Sequence, residues 1–156
     1  MFLAQLEQAL YSSYILSYAQ GLNMLANASA YYKFDIPIAA VASIWRGGCI
    51  IRAALLEKIT VAYQRNTSLQ NLMNDGFFSK ELDSCREGFQ QLVSSAILAA
   101  VPVPGFCASL NYFLSYNSAW LPANLIQAQR DFFGAHTYQR IDKEGIFHTN
   151  WNQTIR

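Results

Sequence analysis

Charge is what this chain has least of. Of its 156 residues, 13% are Asp, Glu, Lys or Arg, about half the share usual in a globular protein. Residues 88–129 contain no charged side chain at all. Lysine occurs only at Lys33, Lys58, Lys80 and Lys143, widely scattered, and the formal net charge is +1. A nucleic-acid footprint needs clustered Lys and Arg, so nucleic acid is excluded as a partner. Cysteine is scarce as well. Cys49, Cys85 and Cys107 are odd in number and far apart, with no pair at metal or redox spacing. They read as buried, reduced thiols. His136 and His148 are the only histidines, too few and too badly placed relative to carboxylates for a metal site. An unbroken apolar run is missing too. Residues 96–110 look membrane-like but are interrupted by Pro102, Pro104 and Gly105, and the longest clean piece falls short of the ~20 residues that span a bilayer. No basic segment opens the chain, so no signal peptide is expected. These absences predict no membrane partner and a cytoplasmic setting.

What is present is apolar. Hydrophobic residues make up 53% of the chain. The length suits one domain with a real core, but there is too little charge to coat an isolated surface. Burial against a partner subunit, or against another part of the same polypeptide, is the expected remedy.

The periodicity is helical. Leu3, Leu6, Leu10, Tyr14, Tyr18, Leu22, Leu25 and Ser29 recur at spacings of three and four, predicting a helix over residues 2–31. Glu7 is its only charge, so both faces should be covered. Asp35 is a cap candidate for a second helix, with Pro37 in its first turn and Ile38, Val41 and Trp45 continuing it. Gly47 and Gly48 should break it. A third helix carries Ile51, Leu55, Ile59 and Tyr63. A short helical turn over residues 69–73 is closed by Asn74, Asp75 and Gly76. Ser79 can cap the next helix, with Leu82, Cys85, Phe89, Val93, Ile97 and Ala100 as its stripe, stopped by Pro102. Residues 106–116 and 123–133 are the last two helices, with Pro122 opening the second and Gly134 fitting its terminating position. No stretch shows sustained alternation with β-branched enrichment. The prediction is an all-α helical bundle over residues 1–140, followed by an irregular tail over 141–156. Phe147 and Trp151 on that tail need a surface to lie on.

Few motifs carry chemistry. No phosphate-cradling glycine loop and no strained nucleophile elbow occurs. Gly47 and Gly48 read as a helix crossing point, and Arg46 and Arg52 as structural ion pairs or carbonyl caps. Glu81 with Asp83, and Asp142 with Glu144, stand two apart and do not share a helix face. The exception is Arg130 followed by His136. The uncharged stretch ends in a permanently charged planar fork, and an imidazole follows just past a glycine. That pair suits an anion, best of all a phosphate monoester. A structural salt bridge from Arg130, with Asp131 next door, is the competing reading.

Several runs resemble decarboxylating 6-phosphogluconate dehydrogenases. They are QALYSSYILSYAQG at residues 8–21, IWRGGCIIR at 44–52, LPANLIQAQRDFFGAHTY at 121–138 and FHTNW at 147–151. Their order is colinear, and the resemblance covers residues 8–152. It implies the helical C-terminal domain of an enzyme that oxidises 6-phosphogluconate with NADP and decarboxylates the product to ribulose 5-phosphate. It also implies a homodimer in which the residues matching Arg130 and His136 bind the neighbouring subunit's substrate. The arginine holds the phosphate, the histidine contacts the same end, and the tail crosses to the partner. NADP would be bound by an N-terminal domain absent here, since the chain has no GxGxxG loop. The family's catalytic Lys, His-Asn pair and Glu also precede this region, so the segment alone is expected to be inactive. A non-catalytic dimerisation or sugar-phosphate-binding module is the alternative.

Overall fold

The computed structural model describes residues 1–153. The chain divides into two compact units, Met1–Tyr116 and Asn117–Arg156. The first unit is helical throughout: α1 (Phe2–Tyr32), α2 (Ile38–Ile44), α3 (Leu55–Arg65), α4 (Gly76–Leu98) and α5 (Pro104–Tyr116), with one 3-10 turn at Leu72–Asn74. The long α1 is its spine, packing along α4 and against α5. Ile15, Leu16, Leu22, Leu56, Ile59, Leu72, Phe78, Leu82 and Phe89 are almost fully removed from solvent. Each such side chain contributes roughly 1.5–3 kcal/mol through burial. Gly88 is where α1 and α4 approach closely, because a β-carbon there would run into the Gln8 side chain.

The helices form where their periodicity predicts, and Leu22, Ile59, Tyr63, Leu82, Phe89 and Val93 are buried as expected, but several caps and the first half of α1's buried face differ. Asp35 does not cap α2. It adopts a left-handed φ of 52°, and α2 starts from Pro37 without a side-chain cap. The turn before it is held instead by Ser29, whose hydroxyl accepts from the Ile36 N–H at 2.8 Å. Ser79 does not cap α4 either. Asp75 does, accepting from the Phe77 N–H at 2.9 Å and the Phe78 N–H at 3.4 Å, and it also pairs with Arg65. Gly76 is thus the first residue of a helix rather than the end of a turn. Ile51 falls outside α3 and is exposed. On α1 the buried residues include Ala9, Ser12, Leu16 and Ala19, while Leu3, Leu6, Leu10 and Tyr14 are exposed. That helix is apolar nearly all round, so spacing alone could not choose its buried face.

Polar side chains enter this unit's interior at a few points, among them Asn71, Asp75 and Thr60. Tyr11 donates to Glu81 at 2.8 Å; burial first, and that carboxylate second, push its phenol up to about 12. Asn71 donates to Tyr112 at 2.7 Å, tying the turn before α4 to α5. Arg46 meets Glu57 at 3.6 Å, the structural pairing expected of it.

The second unit contains α6 (Asn124–Gly134), then β1 (Tyr138–Gln139) paired antiparallel with β2 (Ile146–Phe147), then a 3-10 turn at Trp151–Gln153. The two strands set Tyr138 opposite Phe147, their rings stacked at 6.1 Å. They are the only strands among the described residues, so the all-α class stands. Gly134 is the last helical residue, and the left-handed terminating position belongs to Ala135, with φ 48°. Residues 154–156 of the expected tail lie outside the described residues.

Candidate functional site

Both site residues predicted from sequence lie in the second unit, on and just after α6. Arg130 is exposed on the helix and stands on the wall of an open groove of about 670 Å³. Trp120, Leu121, Gln127, Arg140 and Trp151 also line that groove. The volume falls in the range usual for small-molecule clefts. The Arg130 Nη1 donates to Gln127 Oε1 at 3.2 Å. No carboxylate among the described residues pairs with Arg130. The competing reading, a structural salt bridge from Arg130, finds no partner there, and neighbouring Asp131 is engaged elsewhere.

His136 is exposed and does not line the groove. Its ring lies over Gly134, where a β-carbon would come within 3.0 Å of Nε2. Arg130 and His136 are joined by a relay rather than by contact. Gln127, which accepts from Arg130, donates through Nε2 to the Thr137 carbonyl at 2.6 Å, and Thr137 directly follows His136. The backbone on either side of the histidine is strained, with Ala135 at φ 48° and Thr137 at φ 62°. Left-handed conformations are costly for residues bearing a β-carbon.

Asp131 supplies what the sequence reading missed. Its side chain is fully buried and accepts four hydrogen bonds. Oδ1 takes the Thr137 N–H at 3.0 Å and His148 Nδ1 at 2.9 Å; Oδ2 takes the Thr149 N–H and Trp151 Nε1, each at 3.0 Å. A carboxylate only accepts, so the His148 Nδ1 carries the shared proton. Burial pushes the Asp131 carboxyl up, but the bonds from His148, Thr149 and Trp151 outweigh it and hold it at about 2. The anion is therefore the working form, and it neutralises donors from three places: the loop after α6, the end of the hairpin and the final turn. Trp151, expected to need a surface to lie on, is half-buried. Its indole bonds to Asp131 and its ring meets Phe132 edge-on at 5.8 Å.

A signal for Asp131 was in the sequence. It is the sole acidic residue between Glu87 and Asp142, and it is followed by Phe132 and Phe133. A lone carboxylate in apolar surroundings is tolerated when donors converge on it. Elsewhere in this unit Arg140 and Asp142 form a two-point pair through bonds of 2.8 Å and 2.6 Å. Cys49, Cys85 and Cys107 are free and only partly buried. Among the described residues no cluster could hold a metal ion, and no helix is long and apolar enough to cross a membrane.

The profile of the 6-phosphogluconate dehydrogenase C-terminal domain matches residues 1–151. The chain belongs to this family. The matched span contains Arg130, Asp131, His136, His148 and Trp151. A Bacillus subtilis relative, an NADP(+)-dependent, decarboxylating 6-phosphogluconate dehydrogenase, is 53% identical over 144 residues, covering 92% of this chain and 31% of the relative. A chloroplastic, decarboxylating 6-phosphogluconate dehydrogenase from Spinacia oleracea is 50% identical, covering 96% and 28%. The 6-phosphogluconate dehydrogenase of Plasmodium falciparum has been solved in its apo form, with its cofactor NADP+ and with its substrate 6-phosphogluconate. It superposes with a TM-score of 0.88 at 44% identity, covering 96% of this chain and 32% of that one. The chain thus spans about a third of the length of the 6-phosphogluconate dehydrogenases it matches.

Proposed function

We propose that this chain is the C-terminal, phosphate-gripping segment of an NADP-dependent, decarboxylating 6-phosphogluconate dehydrogenase. The whole enzyme takes a hydride from C3 of 6-phosphogluconate to NADP+ and releases the hydroxyl proton. The resulting 3-keto acid loses carbon dioxide to give ribulose 5-phosphate. NADP and the catalytic groups belong to the part of the enzyme outside this chain. The chain's own contribution is Arg130, with His136 beside it, offered to the substrate phosphate. One observation carries this reading: Arg130 is exposed on a groove wall with, among the described residues, only a neutral amide as partner, while the carboxylate next to it is turned inward and saturated. A guanidinium left in that state is ready for a dianion.

The enzyme works as a homodimer in the cytoplasm. Residues 141–156 form the tail that reaches the partner subunit, beyond a helical domain over 1–140. The apolar row Leu3, Leu6, Leu10 and Tyr14, exposed on α1, is the kind of surface that a second copy or the rest of the polypeptide covers. Light scattering of the isolated chain should show self-association rather than a monomer across a wide concentration range.

The test of the grip uses a full-length dehydrogenase carrying this chain as its C-terminal segment. A charge-assisted hydrogen bond is worth about 1.5–3 kcal/mol. Arg130→Ala should therefore raise KM for 6-phosphogluconate about tenfold to a hundredfold. An unchanged KM rejects the assignment.

A further inference from the structure

The two groups proposed to grip the phosphate are both exposed. Arg130 has one neutral partner. His136 stands between two left-handed residues, on a stretch that would relax if nothing restrained it. Yet a phosphate site needs its donors fixed to within fractions of an ångström. The restraint lies behind them. Asp131, adjacent to Arg130, accepts the Thr137 N–H, while the Thr137 carbonyl is held by Gln127, which also touches Arg130. The peptide groups on both sides of Thr137 are thereby anchored to α6. The other oxygen of Asp131 takes Thr149 and Trp151, so the return of the hairpin is fastened to the same carboxylate.

We propose that Asp131 is a positioning residue for phosphate recognition: its buried carboxylate fixes the backbone that presents His136 and leaves Arg130 free to meet the substrate. This rests on the phosphate-grip reading above. Asp131 touches neither substrate nor cofactor, and acts through Thr137, Gln127 and the tail. Two features separate it from an ordinary buried acid. Its donors converge from three places, the loop after α6, the end of the hairpin and the final turn, and its carboxylate, adjacent to Arg130 in sequence, is turned inward onto them rather than paired with the guanidinium. A carboxylate turned outward at this position would compete with the substrate dianion for the guanidinium.

Asp131→Asn tests the idea in a full-length dehydrogenase carrying this chain. The amide keeps the shape but can satisfy only one of the two pairs of donors. KM for 6-phosphogluconate should rise about tenfold while kcat falls less than about threefold. Competitive inhibition by inorganic phosphate should weaken by a similar factor, and KM for NADP should stay unchanged. A purely structural acid would instead lower kcat, both KM-dependent efficiencies and melting temperature together. Trp151→Phe is the second variant. It removes one donor yet keeps a ring on Phe132, and should raise KM for 6-phosphogluconate about twofold to fivefold without changing KM for NADP. If Arg130→Ala raises KM and a folded Asp131→Asn does not, the positioning role is wrong and the grip stands. If Arg130→Ala leaves KM unchanged, the grip itself fails. Should Asp131→Asn not fold, Trp151→Phe decides, and an unchanged KM there overturns the proposal.

Discussion

The two units of this chain are held together by opposite means. Residues 1–116 rest on a continuous apolar core in which Leu16, Leu56, Phe78 and Phe89 are almost fully buried, with a few buried polar side chains such as Asn71 and Asp75 fastening its turns. Among the described residues, the second unit buries almost nothing apolar: on α6 the one buried residue is Asp131. Large side chains such as Leu125, Ile126, Phe132 and Phe133 stay exposed there. One carboxylate and four donors do the organising. An apolar core is tolerant, because many contacts share the stabilisation. A polar hub is specific, because each bond has a fixed direction and a lost acceptor leaves several donors stranded. Specific organisation suits the phosphate grip proposed for Arg130 and His136.

That contrast can be broken at several points. The largest stability effect is expected from Phe89→Ala in the first unit. Removing a fully buried aromatic ring should cost about 3–5 kcal/mol, read as a lower urea midpoint in helix circular dichroism. A smaller loss, about 0.5–2 kcal/mol, is expected for Asp75→Ala, which strips the cap from α4 and the partner from Arg65.

Acid should act on the second unit through Asp131. Its carboxyl titrates at about 2 in the folded chain against an ordinary 3.8. The folded value is depressed, so its contribution is fully present above the ordinary value and is lost as pH falls through about 2. The Trp151 indole N–H should keep its bonded chemical shift down through the ordinary carboxylate range and move only near the folded value. Movement centred on the ordinary value would mean that the hub is not formed. The smallest effect belongs to Asp142→Asn. The Arg140–Asp142 pair is exposed on both sides, and exposed ion pairs contribute little, so the melting temperature should not shift measurably.

Legibility followed the same division. In the first unit, period 3.6 marks where the helices run, because apolar spacing is the physical cause of their packing. On α1 it found Tyr18, Leu22 and Ser29 of the buried side but missed that side in the first half of the helix, where Leu10 and Ala9 are both apolar and only the neighbouring helices decide. It also misassigned two caps, since Asp35 and Ser79 are as suitable locally as Asp75. In the second unit, Arg130 and His136 stood out as charges after a long neutral stretch. Asp131 did not, because its partners Thr137, His148, Thr149 and Trp151 are brought to it only when the chain doubles back through β1 and β2. A hub assembled from the two strands' ends leaves no local period to read.

The most direct test of the account asks whether Asp131 acts through the gripping pair. In a full-length dehydrogenase carrying this chain, Asp131→Asn is introduced into an Arg130→Ala, His136→Gln background and KM for 6-phosphogluconate is measured. Groups that act as a unit are not additive, so with the grip already gone the added change should alter KM by less than about twofold. If Asp131→Asn multiplies KM by its full factor in that background, Asp131 does not work through Arg130 and His136, and the account is contradicted.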